Sequence, residues 1–194
     1  WHFGGESTGV LGSGDKDYPK LAARGFAVFQ NKGCASCHHI NHASALFTDG
    51  QFHNTGTGYL RAARALRPPS VQLAPGVFVV PTVDAETETF TDDGRFEVTG
   101  READKWRYRT PSLRNVALTG PYMHDGSIAT LEGVVAFYAE GGGGDPAQDP
   151  RTRSVQLTQS DQEALVAFLR TLTSSHVDAL VSDARSVTIG ERTA

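Results

Sequence analysis

Long apolar runs are missing from this chain: no stretch approaches the roughly 18 consecutive apolar residues that a membrane-spanning helix requires. The N-terminal WHFGGESTGV is neither basic nor followed by an apolar signal core, so the chain as it stands is expected to be soluble and already processed. Clustered positive charge is missing too. Lys and Arg number 18 against 22 Asp and Glu, giving a net charge of −4, and no basic patch stands out that would neutralise a row of phosphates or dock on an anionic membrane. Nucleic acid is therefore excluded as an expected partner. Sulfur is scarce, with one methionine, Met123, and two cysteines, Cys34 and Cys37, three positions apart. What remains, 194 residues with 39% apolar content, is enough for one core and too little to expect two. The expected organisation is a lead over 1–17, one domain over 18–173 and a polar, weakly patterned tail over 174–194.

The two cysteines stand in NKGCASCHHI, and Cys34-Ala35-Ser36-Cys37-His38 is the C-x-x-C-H pattern of a covalently attached c-type haem. One backbone turn places both sulfurs along a porphyrin edge, where they form thioethers to the vinyl groups, and the adjacent imidazole of His38 comes under the iron as proximal ligand. A thioredoxin-like C-x-x-C would need a strand before it, in a βαβ setting, and none is visible. A structural zinc site could draw on Cys34, Cys37, His38, His39 and His42, but such sites pair two separated half-sites and the chain offers one.

The surrounding pattern is mainly helical. Residues 18 to 31 predict a helix, with Pro19 in the first turn and Ala22, Phe26 and Phe29 at helical spacing. From about 43 to 100, Gly50, Gly56, Gly58, Pro68-Pro69, Pro75-Gly76 and Gly94 break any long periodicity, which predicts a loop-rich wrap carrying scattered aromatics. Thr130 or Ser127 can cap a helix with Leu131, Val134, Val135 and Tyr138 on one face, stopped by the run Gly141 to Gly144. Ser160-Asp161-Gln162-Glu163 predicts a capping box opening an amphipathic helix to about 173. The expected fold is a cytochrome c-like helical domain wrapped round one c-type haem, with long irregular loops.

A haem with one histidine ligand either stays five-coordinate or takes a second protein ligand. Met123 is a candidate whose thioether would raise the reduction potential, and Tyr138 is one whose phenolate, a hard anionic donor, would lower it. Either can instead be an ordinary core side chain. His53, His124, His39 and His42 add further candidates as ligand or acid/base group, and the residues alone leave the choice open.

Longer runs narrow it. CASCHHINHASALFTDGQFHNTGTG, GRFEVTG and RYRTPSLRNVALTGPYMHDGSIATLEGVVAFYAEGG resemble the C-terminal haem domain of the MauG and bacterial dihaem cytochrome c peroxidase family, over about residues 20 to 173. In the peroxidases the distal ligand of this haem is a methionine fourteen residues after the histidine of P-Y-x-H, which is His124 here; that position holds Tyr138. MauG also carries tyrosine there, so the resemblance implies Tyr138 as distal ligand, with Met123 as the alternative. It implies a calcium ion bound through the backbone carbonyls of Thr119 and Pro121. The family carries a second C-x-x-C-H in an N-terminal domain where peroxide reacts, and this chain has one such motif.

The resemblance thus implies an extracytoplasmic electron-relay haem of a peroxide-dependent oxidoreductase. It would pass oxidising equivalents between a peroxide-reactive haem, on a second domain or subunit, and a protein substrate or redox partner. Trp106 and Trp1 are candidate relay aromatics. His124 would position or exchange protons near the haem, and Arg114 would pair a haem propionate, since guanidinium matches carboxylate geometry. The competing readings are a monohaem electron carrier ligated by His38 and Met123, and a five-coordinate haem that turns over peroxide with His53 or His124 as acid/base.

Overall fold

The computed structural model describes residues 17–40, 45–65, 71–74, 77–79, 92–153, 155–174, 176–177, 179 and 182. Thirteen short elements follow one another, most of them helical. Helix α1 (Tyr18–Asn31) leads into a one-turn 3-10 helix at Cys34–Ser36. Strand β1 (Phe52–His53) and helix α2 (Thr57–Ala65) follow, then a hairpin of β2 (Val71–Ala74) and β3 (Val77–Val79). Helix α3 (Phe96–Thr99), a 3-10 turn at Glu102–Asp104, strand β4 (Tyr108–Arg109) and a 3-10 turn at Val116–Leu118 precede α4 (Leu131–Ala139), α5 (Pro150–Arg153) and α6 (Gln159–Arg170). Helix α1 has the bounds that its periodicity predicts. Within the loop-rich wrap expected over 43–100 lie α2 and the hairpin, short elements that flanking glycines and prolines hide from any periodicity count.

The sheets are minimal. Strand β1 pairs antiparallel with β4, Phe52 opposite Arg109 and His53 opposite Tyr108, and β2 pairs antiparallel with β3, Val71 opposite Val79. The first pair matters for the site, because it ties the segment after the haem motif to the segment before α4.

The core is where α1 crosses α6. Ala22, Val28 and Phe29 of α1 are buried against Ala164, Leu165 and Phe168 of α6, and Leu131 and Val135 of α4, Phe47, Val116 and Leu172 complete the cluster. Phe29 and Phe168 meet with ring centroids 5.2 Å apart, and Phe47 stands edge-on to Phe29 at 6.1 Å, a geometry aromatic pairs favour. The crossing is close because Gly25 has no side chain: a Cβ there would lie 1.9 Å from the carbonyl oxygen of Ala164. Gly25→Ala is therefore expected to force the helices apart and cost at least about 2 kcal/mol, read as a lowered urea midpoint of the holoprotein. An unchanged midpoint would show that the crossing is not close in solution.

Two helix starts refine the sequence reading. Thr130 caps α4 by accepting the Gly133 N–H at 3.1 Å. Helix α6 begins earlier than expected: Thr158 is its cap, accepting the Asp161 N–H at 3.2 Å while the Asp161 carboxylate accepts the Thr158 N–H at 3.1 Å. The expected box on Ser160 and Glu163 is thus displaced by one on Thr158 and Asp161, because Leu157 packs on the core and sets the entry angle just before it. Ser160 and Asp161 instead receive Arg24 of α1. Among the described residues no helix is long and apolar enough to cross a membrane.

Candidate functional site

Helix α1 ends at Gly33, whose φ of 91° turns the chain into the 3-10 helix at Cys34–Ser36. Glycine takes that left-handed conformation without the strain a Cβ would bring. The Ser36 N–H donates to Gly33 O and the His38 N–H to Cys34 O, each at 3.0 Å, so both cysteines and the histidine are held by one turn of hydrogen-bonded backbone. Cys34 packs against the hydrophobic core. Burial pushes its thiol up to about 11 and pushes that of Cys37 up as well. A disulfide-exchange motif favours the opposite, a thiolate stabilised by its surroundings, and burial works against that here.

The imidazole of His38 is buried, which lowers its pKa. Its Nδ1 hydrogen-bonds the carbonyl of Phe47 at 2.8 Å. Phe47 takes a φ of 54° and is itself 1% exposed, so that carbonyl is fixed from both sides. A donated Nδ1–H sets the tautomer and leaves Nε2 with its lone pair, the arrangement a metal-ligating histidine takes. Two thiols on one turn beside an imidazole whose ring is hydrogen-bonded by the backbone at Phe47 and Pro111 form a donor set that fits a haem joined through two thioethers.

Tyr138 reaches this turn from a hundred residues further along the chain. It stands on the last turn of α4, one turn after Val135, which shares the core with Cys34. Burial pushes its phenol up to about 12, and Cys34 and Cys37 lie close enough to push the same way. Tyr138 is half-buried, and among the described residues its hydroxyl has no hydrogen-bond partner. Met123 sits at a φ of 69° in the turn from Tyr122 to Ile128 and is not among the described side chains packed on the core.

Beside Cys37 lies a polar network. His53 is held on both ring nitrogens, Nδ1 by the Asp149 carboxylate at 2.9 Å and Nε2 by that of Asp49 at 2.8 Å. Arg151 donates to Asp149 at 2.6 Å, and this pairing takes Asp149 well below the usual carboxylate range. These groups line a cavity of about 660 Å³ with Ser36 and His39. Both ring nitrogens of His53 are thus engaged by carboxylates. Among the described residues, the one set of groups close enough to hold a metal is Cys37, Asp49 and His53, with ligand atoms within 4.8 Å of one another. Among the described residues the zinc set built on both cysteines and His38 is not assembled.

His124 lies elsewhere in the fold. Its Nε2 hydrogen-bonds the Asp92 carboxylate, and its ring stacks on Tyr108 with centroids 3.8 Å apart. Tyr108 donates to Asp92 O at 3.0 Å, and burial raises its phenol to about 12. Trp106 is half-buried, donates to Asp93 at 3.1 Å and meets Tyr59 edge-on at 5.9 Å. Arg114 is exposed, with no side-chain partner among the described residues. The carbonyls of Thr119 and Pro121 accept no hydrogen bond from described residues. Trp1 and His42 lie outside the described residues. Phe47, Asp49, Asp92, Asp149 and Arg151 are the participants that sequence reasoning missed. Asp49 and Phe47 carry a signal, standing in or beside FTDGQFHNTG, whereas Asp149 is 96 positions from His53 and carries none.

Comparison with known proteins places these observations. No family model matches the chain. It is 36% identical over 170 residues to the cytochrome-c peroxidase IdrP1 of Denitromonas iodatirespirans, covering 84% of this chain and 42% of that protein. It is 34% identical over 152 residues to the methylamine utilization protein MauG of Methylorubrum extorquens, covering 78% of this chain and 34% of MauG. The chain thus spans well under half the length of these curated relatives. Among solved structures, a MauG-like protein associated with microbial copper homeostasis superposes with a TM-score of 0.57 at 29% identity, covering 80% of this chain and 44% of the other.

Proposed function

The chain belongs among the relatives of MauG and the cytochrome-c peroxidases, and on that premise we propose that it is a c-type haem redox domain of a peroxide-dependent oxidoreductase. Its haem relays oxidising equivalents between a peroxide-reactive haem and a protein substrate or electron donor. The observation that carries this reading is the convergence of Tyr138 on the Cys34–His38 turn: a phenol with no hydrogen-bond partner among the described residues lies near Cys34 and Cys37, on the turn whose His38 is oriented by Phe47 O. When bound, the haem supplies a one-electron iron couple whose potential is set by its axial ligands.

In this reading Cys34 and Cys37 hold the porphyrin by thioethers, and His38 is the proximal ligand, oriented by Phe47 O. Tyr138 would supply the second protein ligand to the iron. Arg114, exposed and without a side-chain partner among the described residues, would pair a propionate. His124, fixed by Asp92 and the Tyr108 ring, is a positioning group, and Trp106 with Tyr59 gives an aromatic route toward the surface. The open carbonyls of Thr119 and Pro121 are hard oxygen donors of the kind calcium takes. Thioether attachment of this kind goes with an extracytoplasmic location, and the peroxide-reactive haem lies in another domain or subunit.

The test is a mass measurement on purified protein under denaturing conditions. The polypeptide is expected to retain its pigment and to exceed its bare mass by one haem, and Cys34→Ala with Cys37→Ala to lose both. A denatured wild-type chain with no pigment and the bare mass would overturn the reading.

A further inference from the structure

Helix α4 does not end freely. After Tyr138 the chain turns through Gly141 and Gly142, whose N–H groups donate to Tyr138 O and Phe137 O at 3.0 and 2.9 Å. The next residue, Gly143, then lies directly on Gly56, which stands on the segment leading away from the proximal side. A Cβ on Gly143 would fall 2.2 Å from Gly56 O, and one on Gly56 would fall 2.5 Å from the Gly143 Cα. Both are far inside van der Waals contact, so the two backbones touch at a distance that only glycine on each side permits.

Hydrogen bonds close the contact from every direction. The Gly143 N–H donates to Thr55 O at 3.0 Å and the Asp149 N–H to Asn54 O at 2.9 Å. Asn54 spans the junction, donating through Nδ2 to Asp145 at 2.7 Å and accepting the Gly56 N–H at 2.8 Å; Asn54 and Asp145 are buried. Gln148 threads the glycine run, donating to Gly141 O at 2.7 Å and accepting the Gly144 N–H at 2.9 Å. The segment from 47 to 56 begins at the carbonyl that orients His38, and the run from 141 to 149 begins one turn past Tyr138. The clasp joins the two arms at their far ends.

We infer that the Gly56–Gly143 clasp is a positioning device that fixes the span between the His38 side and the Tyr138 side of the site, and so decides whether Tyr138 reaches the sixth position. The inference rests on the proposed ligation by Tyr138. A packed interior transmits the shift rather than absorbing it, because α4 is pinned at its other end by the Thr130 cap and by Leu131 and Val135 in the core. Spreading the clasp by the ångström or so that one methyl demands therefore moves the last turn of α4, where Tyr138 stands.

Three variants of the holoprotein test it: Gly143→Ala, Gly144→Ala and Tyr138→Phe, each read by its ferric spectrum and its rate of cyanide binding. Gly144 has a φ of 75° but nothing within 4 Å of an added Cβ, so Gly144→Ala carries backbone strain beside the clasp without adding bulk between Gly56 and Gly143. Gly143→Ala is expected to show a high-spin fraction and to bind cyanide at least tenfold faster than wild type, with Gly144→Ala close to wild type. Should Gly143→Ala fail to fold, Gln148→Ala, which unties the run without adding bulk, is read the same way. If Tyr138→Phe opens the site while the clasp variants keep the wild-type spectrum, the inference is overturned and the ligation stands. If Tyr138→Phe also leaves the spectrum unchanged, the ligation itself fails. Hydrogen exchange of the wild-type holoprotein adds a check without substitution: the Gly143 amide is expected to be as protected as those of α4, and free exchange there overturns the clasp as a rigid device.

Discussion

Replacing Tyr138 by methionine is expected to raise the reduction potential of the holoprotein by on the order of a few tenths of a volt, a good part of the roughly 0.8 V range that axial ligands span. The direction follows from charge. A phenolate is an anionic, hard donor that stabilises ferric iron, whereas a thioether is neutral and soft and favours ferrous iron. The surroundings strengthen the expectation, since burial together with the neighbouring Cys34 and Cys37 pushes the free phenol up to about 12, and a ligated phenolate there must be held by a strong positive partner. Tyr138→Phe removes the donor, so the same position should become open and bind cyanide quickly. Redox titration and stopped-flow binding read the two outcomes. A potential unmoved by both substitutions, together with a wild-type spectrum bearing the weak far-red band of sulfur ligation, would transfer the sixth position to Met123.

How far the sequence carried can be judged residue by residue. Local signals were legible: α1 over 18–31, the Thr130 cap and the C-x-x-C-H turn each depend on residues a few positions apart. The sequence also held Tyr138 as a candidate, but from the residues alone it was one aromatic on a helical face, and only the family resemblance ranked it. What stayed hidden depends on long-range pairing. Asp149 meets His53 across 96 positions, and Gly143 meets Gly56 across a contact that no periodicity encodes. The α6 cap was misread because Ser160 and Thr158 are equally good capping residues by type, and the packing of Leu157 on the core chooses between them. Partners that the fold brings together late in the chain leave no local trace.

The Asp49–His53–Asp149 bridge leads to the second large effect. The side chains of His53, Asp49 and Asp149 are 13%, 6% and 15% exposed, so the charges are mostly out of water and depend on one another. Burial alone would raise the Asp49 carboxyl, but the Gln51 N–H and His53 outweigh it and bring it down to about 2 from 3.8. A carboxyl lowered on folding contributes stability above its unfolded value and loses it as the pH falls through the folded one. For Asp49 the contribution is about 2 kcal/mol, present above about pH 4 and gone near pH 2. His53→Leu takes the imidazole out and leaves the largely buried Asp49 carboxylate facing Asp149, which Arg151 still pairs, and is expected to cost about 3 kcal/mol at neutral pH. In the variant, protonation relieves the repulsion instead of breaking a pair, so its carboxyls titrate upward and its stability rises as the pH falls. The gap between wild type and variant should therefore be widest at pH 7 and narrow toward pH 4, measured by urea unfolding of both holoproteins. An equal gap at the two pH values would mean that His53 holds the site by shape and not by charge.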